Sequence, residues 1–309
     1  AVYPEKVIRY INGHNGPVLC AKFTDDGKYA FTSGQDRTIR LWNPHRDENK
    51  GEALHIKTYG GVHGYEVKDI AVFTDSSRFV SVGGDKTAFL WDVTLGRVIR
   101  RLQGHSHHLN SCCITAQDSV LLTASYDKTL RAWDLRSRDR SPIQVLEDFK
   151  DSVTSVIATD SEIIAGCVDG CVRTYDLRAG EVRQDQLHEP ITCVSLSNDK
   201  NCLLASCLGG VVELLEKGTG ERLNHYRGHI HNDYTIQSCF SNTDAEVLSG
   251  SEDGRVLIWD LVESTIVKTL VHHTRPVCSL SYHPKKCMLL TSSYDGKVLV
   301  WENTNKAPK

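Results

Sequence analysis

The sequence contains no apolar run approaching the ~18–20 residues that a membrane-crossing helix needs. Its opening residues, Ala1-Val2-Tyr3-Pro4-Glu5-Lys6, lack the apolar core of a secretory leader. The first position is not Met, so a short trimmed address ahead of Ala1 stays open. Basic excess is missing too: 36 Lys and Arg face 39 Asp and Glu, a formal net charge of −3. Affinity for phosphate rests largely on Lys and Arg, so RNA is expected to be met only indirectly, through other proteins. No Cys-x-x-Cys pair occurs, although the chain holds 11 cysteines. Most sit in strand-like runs such as Asn110-Ser111-Cys112-Cys113-Ile114 and Ile191-Thr192-Cys193-Val194. An odd count without paired spacing argues for small buried thiols in a reducing compartment, nucleus or cytoplasm. Helical periodicity never persists beyond two turns. Gly83-Gly84 and Gly209-Gly210 have no helix after them and read as turn glycines, not as a phosphate cradle.

What the sequence does have is a repeat. An aromatic-acidic pair closes a short apolar strand in Leu41-Trp42-Asn43, Leu90-Trp91-Asp92, Ala132-Trp133-Asp134, Thr174-Tyr175-Asp176, Ile258-Trp259-Asp260 and Val300-Trp301-Glu302. A degenerate copy, Leu214-Leu215-Glu216, fills the remaining gap. The seven positions 42, 91, 133, 175, 215, 259 and 301 are spaced by about 43 residues on average, the length of a four-stranded propeller blade. Three further features keep phase with them. An Asp stands six residues before the aromatic: Asp36, Asp85, Asp127, Asp169, Asp253 and Asp295. A hydroxyl stands four residues before that Asp: Thr32, Ser81, Thr123, Ser249 and Thr291. A His stands 22 residues before it, at His14, His63, His105 and His273, whereas His229 stands 24 before Asp253 and implies a two-residue insertion.

Trp, hydroxyl, His and Asp in this phase resemble the structural tetrad of WD-repeat propellers, and the resemblance spans essentially the whole chain. It implies an all-β, seven-bladed WD-repeat β-propeller over residues 1–309. It also implies a bonded chain from indole through hydroxyl and imidazole to carboxylate in the five blades holding Trp42, Trp91, Trp133, Trp259 and Trp301. A half-built buried network is worse than none, so blades that lose one member should lose the rest. The fourth repeat has Tyr175, Ala165 and Phe149, and the fifth has Leu215, Ala205, Gly209 and Leu187. Both are expected to have exchanged the network for apolar packing, with Asp169 kept for its Asp169-Gly170 turn. Residues 6–12 parallel the segment leading to His105 and are expected to pair onto the last blade and close the ring. The excursion His45-Arg46-Asp47-Glu48-Asn49-Lys50 reads as a solvated loop. His105-x-His107-His108 and His229-x-His231 lack the four spaced ligands of a zinc site and read as exposed loop histidines. Nothing supports an enzyme, a metal or a cofactor.

Function must then lie in loops held by a rigid scaffold, where aromatics and arginines anchor interfaces. In propellers of this kind the turn before each tetrad Asp and the loop after each tetrad His face the narrower top. The candidates there are Tyr65, Glu66, His107, Tyr126, Asp233, Tyr234, Glu252, Arg275 and Tyr294. The non-generic stretches His63-Gly64-Tyr65-Glu66-Val67 and Asp169 to Arg178 resemble the mitogen-activated protein kinase organizer family, also called WD repeat-containing protein 83. So do Pro190-Ile191-Thr192-Cys193 and Ser251 to Glu263. That resemblance implies a non-catalytic, monomeric scaffold whose partners are spliceosome components, kinase-cascade components or both. Trp133-Asp134-Leu135-Arg136 and Tyr175-Asp176-Leu177-Arg178 also resemble the Trp-Asp-x-Arg box of substrate receptors for cullin-based ubiquitin ligases, a different class of role.

Overall fold

The computed structural model describes residues 3–303, and every regular element among them is a β-strand. The strands form seven four-stranded antiparallel blades. Their innermost strands begin at Val18, Val67, Leu109, Val153, Ile191, Ser238 and Val277. Central strands such as Val298–Glu302 are buried on both faces, because each blade stacks between two others. Their sequences are therefore continuous apolar runs, whereas outer strands such as Arg97–Gln103 alternate. Contacts between neighbouring blades make the core. Phe31 and Tyr59 of the first blade each lie 4.9 Å from the Phe79 ring of the second, which stacks on Trp91 at 5.7 Å.

The last blade is completed by the strand Lys6–Ile11, antiparallel to Val298–Glu302 from Lys6↔Glu302 to Ile11↔Val298. Ile11 is fully buried there. The polar excursion of the first blade differs from the expected loop. Ile39–Asn49 and Glu52–Tyr59 form one long hairpin that stays paired at Asp47↔Ala53 and Asn49↔Glu52. Lys50 and Gly51 turn it at positive φ, 31° and 91°, the combination that suits a two-residue hairpin. The reason for its order lies across the closure. Tyr10 N donates to Gly51 O at 2.8 Å, Asn12 Nδ2 to Glu52 Oε1 at 2.9 Å, and Arg9 pairs with Asp47. The hairpin clasps the closing strand and joins the first and last blades into one eight-stranded sheet.

Four tetrads are bonded from end to end. In the first blade Trp42 Nε1 donates to Thr32 Oγ1 at 2.9 Å, Thr32 meets His14 Nε2 at 2.7 Å, and His14 Nδ1 meets Asp36 at 2.9 Å. The sets Trp91–Ser81–His63–Asp85, Trp133–Thr123–His105–Asp127 and Trp301–Thr291–His273–Asp295 repeat this with every link between 2.6 and 2.9 Å. Burial would raise the carboxyls of Asp36 and Asp127, yet hydrogen bonds from the imidazoles and from Thr38 and Thr129 hold both well below the carboxylate range.

The sixth blade departs from the expected tetrad. Trp259 Nε1 donates to the Arg227 carbonyl at 3.0 Å, Ser249 Oγ to the Gly250 carbonyl, and Asp253 pairs with Arg255. His229 is buried, has no hydrogen-bond partner for either ring nitrogen among the described residues, and packs edge-on against Trp259 at 5.5 Å. The two-residue insertion has carried His229 out of register. His231, which has the 22-residue spacing, is fully buried beside Thr192 of the fifth blade, so it is not an exposed loop residue.

The fourth blade also differs, since its network is rebuilt rather than lost. Arg173 is fully buried and grips Asp169 with both terminal nitrogens, at 3.1 and 2.8 Å. Its guanidinium lies 5.0 Å from the ring of Phe149, which stands four residues before its inner strand, as His14 and His63 stand before theirs. The fifth blade is apolar as expected, with Leu187, Ala205 and Leu215 in one buried cluster.

Candidate functional site on the top face

The inner strands of six blades share a local irregularity. Pairing slips between Val18 and Cys20, Val67 and Asp69, Leu109 and Ser111, Val153 and Ser155, Ile191 and Cys193, and Val277 and Ser279. A bulge re-aims the extra residue, and here the extra residues are Leu19, Lys68, Asn110, Thr154, Thr192 and Cys278. All six line one central cavity of about 560 Å³, together with Gln237 of the remaining blade. Their side chains also stitch the blades together. Asn110 donates to Val153 O at 2.9 Å, Thr154 to Ile191 O at 2.7 Å, Thr192 to Ile236 O at 3.1 Å and Cys278 to Val18 O at 3.1 Å.

Below that level Asp69 is the hub of three blades. Its carboxylate meets Lys22 Nζ at 2.5 Å, Ser111 Oγ at 2.8 Å and Cys112 N at 3.0 Å. Sequence reasoning missed both features. The signal was a buried aliphatic followed by a polar residue at the start of the inner strand, as in Val67-Lys68, Leu109-Asn110, Val153-Thr154, Ile191-Thr192 and Ile236-Gln237.

Aromatic side chains stand around this mouth. Tyr126 and Tyr294 line it. Tyr126 is half exposed, meets the His107 ring edge-on at 5.6 Å and lies 4.8 Å from that of His108. Tyr294 packs edge-on against Tyr234 at 4.8 Å. Burial first, and then the charges of groups including Glu66, push the Tyr294 phenol up to about 12, so it remains a donor at any physiological pH. The structure therefore gathers His107, Tyr126, Tyr234 and Tyr294. Tyr65 is the most exposed of the candidate tyrosines, at 62%, and makes no ring contact with the others. Arg275 and Asp233 are exposed, and neither is in an ion pair among the described residues.

Glu252 has a different task from the one expected. Its Oε1 accepts from the backbone N–H of Asn232, Asp233 and Tyr234 at 2.6, 2.7 and 3.1 Å. These bonds hold its carboxyl below the ordinary Glu range against the effect of burial. Glu252 shapes the inserted loop and so presents Tyr234, but its own charge is already engaged. No group of three or more metal-ligating side chains occurs among the described residues.

Comparison with known proteins accords with this geometry. Residues 5–43, 55–92, 96–134, 220–260 and 264–302 match the WD domain, G-beta repeat. The longest unmatched stretch, 135–219, covers most of the fourth and fifth blades, where the tetrad is replaced. The chain is 45% identical to WD repeat domain-containing protein 83 of Xenopus tropicalis, and 42% identical to that of Rattus norvegicus. Each alignment covers 98% of this chain and 94% of the relative. A homolog from Dictyostelium discoideum is 31% identical over 96% of this chain and 98% of its own length. A propeller with this repeat and identity along its full circumference belongs to the WD repeat domain-containing protein 83 family of WD-repeat proteins.

Proposed function

We propose that this chain is a non-catalytic interaction scaffold that captures partner proteins on its top face. The observation that carries the reading is the cluster of Tyr126, Tyr234 and Tyr294 around a mouth built from all seven blades. Large amphipathic rings held on a rigid frame give contact area at low entropic cost, which is what an interface anchor needs. The finer reading is a monomeric propeller in a larger assembly: a peripheral spliceosome subunit in pre-mRNA splicing that reaches RNA through protein. Organisation of a mitogen-activated protein kinase cascade would be a second use of the same face. Both follow from the family resemblance, and the near-neutral charge supports indirect contact with RNA. Residence in nucleus and cytoplasm belongs to the same proposal.

The test is affinity purification with mass spectrometry from nuclear and cytosolic extracts, comparing the parent with Tyr126→Ala plus Tyr294→Ala. Splicing factors lost from the nuclear eluate of the variant would support the reading. Kinases alone would favour cascade organisation, and a cullin-ligase adaptor alone would favour the substrate-receptor class. Identical eluates from parent and variant would remove the top face from the account.

A further inference from the structure

The rim of the propeller carries a second surface, formed where the third blade is incomplete. Its outer strand, Gln144–Leu146, has 3 residues, whereas the outer strands of the other blades have 6 to 8. Pro142 has no N–H to give to a ladder, and pairing with the neighbouring strand stops at Ala132↔Gln144. The chain instead crosses the gap as Ser137-Arg138-Asp139-Arg140-Ser141. A groove of about 640 Å³ is left between this crossing and the outer strand Arg97–Gln103 of the second blade.

The groove is lined by Ile99, Arg100, Arg101, Arg140 and Pro142, among others. Ile99 is 52% exposed. Arg100 fills the gap, donating to Asp134 O and Ser137 O at 2.8 Å each, while its buried Nε has no acceptor among the described residues. Arg101 and Arg140 are exposed, and among the described residues neither is in an ion pair, although the Arg101 guanidinium lies over the Phe89 ring at 5.7 Å. Several arginines elsewhere do have a carboxylate partner, among them Arg9 with Asp47, Arg173 with Asp169, Arg183 with Asp185 and Arg255 with Asp253. The one acid of the crossing segment, Asp139, accepts the backbone N–H of Ser141 and so braces the loop. In a chain of net charge −3, three arginines thus converge, without a carboxylate partner among the described residues, beside an exposed apolar side chain.

We propose that this groove docks an acidic linear peptide of a partner protein, with its carboxylates on Arg101 and Arg140 and an apolar side chain against Ile99. Planar guanidinium groups suit carboxylates geometrically, and a partner brings the counter-charge that the surface lacks. The surface is independent of the top face, so the scaffold can hold two partners at once.

The test is a fluorescence-anisotropy titration of the full chain with a labelled peptide of alternating Glu and Asp around a central Leu. Binding should saturate and weaken with added salt. Arg101→Glu plus Arg140→Glu should weaken it by about tenfold or more. Both side chains are exposed, so the melting temperature should fall by no more than the few degrees that loss of the exposed Arg101–Phe89 contact, about 0.5–1 kcal/mol, would cost. Arg101→Gln plus Arg140→Gln should give a smaller loss in the same direction, and Tyr126→Ala plus Tyr294→Ala should give none. Absence of saturable binding, no loss in the Gln variant, or an equal loss in the tyrosine variant would each overturn the proposal. So would a labelled oligouridine that binds as tightly as the peptide and is equally weakened by the Glu variant.

Discussion

The guanidinium of Arg173 meets the carboxylate of Asp169 through two hydrogen bonds, 2.8 and 3.1 Å, where four other blades set an imidazole against the equivalent Asp. The pair is buried, and Phe149 covers it on the side vacated by His. Removing one partner of a buried pair strands the other charge, at a cost of about 3–5 kcal/mol. Arg173→Ala should therefore destabilise the protein by that amount in urea unfolding. Arg173→Lys should recover only part of it, because an ammonium cannot make both bonds. A change below about 1 kcal/mol for Arg173→Ala would mean that the fourth blade is held by apolar packing alone.

Stability should fall on mild acidification, and the imidazole of His229 sets the window. Burial, and then the neighbouring His231, push it down to about 4. An unfolded imidazole ionises near ~6.5, so between pH 6.5 and 4 the unfolded chain binds a proton that the folded chain refuses. By linkage the stability is fully present above that window and is lost as pH falls through it, on the order of 3 kcal/mol from this group. His63, His105 and His231 are shifted in the same direction, chiefly by burial. At still lower pH the bonded carboxylates of Asp36 and Asp127 lose their contribution as they protonate. Urea midpoints measured from pH 7.5 to 4.5 should decline, and His229→Phe should flatten the decline. A flat profile for the parent would contradict the buried neutral state of His229.

Much of this fold was legible because its constraints are periodic. Seven blades, the closing strand and four of the tetrads follow from spacings such as His14–Asp36 and Asp36–Trp42. The failures came where a residue answers to a neighbour outside its own repeat. Arg173 was hidden because Arg also stands four residues after Asp36 and Asp127, as Arg40 and Arg131, in blades where an imidazole holds the Asp; Arg40 approaches Asp36 only at 3.7 Å, beside His14. The hairpin over His45–Lys50 is ordered by Arg9, Tyr10 and Asn12, which reach it only once the ring closes. Glu252 read as a surface charge because its three donors lie in an insertion with no counterpart elsewhere. The aromatic mouth was half visible: Tyr126 and Tyr294 stood out by their position before Asp. The bulges that bring Lys68, Asn110 and Thr192 beside them leave only the recurring aliphatic-polar pair at the start of the inner strand, which alternation along any strand also produces.

Closure can be tested by shortening. Deleting residues 1–12 removes the packing of Val7, Ile8, Tyr10 and Ile11 and exposes the edge of Val298–Glu302. It also releases the long hairpin of the first blade. The melting temperature should drop by at least about 10 °C, given the few degrees per kcal/mol of a protein this size. Arg9→Ala should cost far less, because Asp47 is more than half exposed and such pairs contribute little. A truncated chain that melts with its parent would show that the ring holds without its closing strand.

The sixth blade offers the sharpest contrast, because one substitution can be made in two blades with the same chemistry. Ser81 of the second blade accepts from Trp91 Nε1 at 2.8 Å and bonds His63 Nε2 at 2.7 Å. Ser81→Ala leaves an indole donor and an imidazole nitrogen buried without partners, which should cost about 1–3 kcal/mol. Ser249 has the same residue type and position, but its hydroxyl donates only to the adjacent Gly250 carbonyl, at 3.1 Å. Trp259 is satisfied by the Arg227 carbonyl and does not depend on it. Ser249→Ala should therefore change the unfolding free energy by less than about 0.5 kcal/mol. Equal costs in the two blades would mean that His229 and Trp259 do engage Ser249 in solution. Unequal costs would mean that the two-residue insertion, which lifts Tyr234 toward Tyr294, was accommodated by giving up the polar network beneath it.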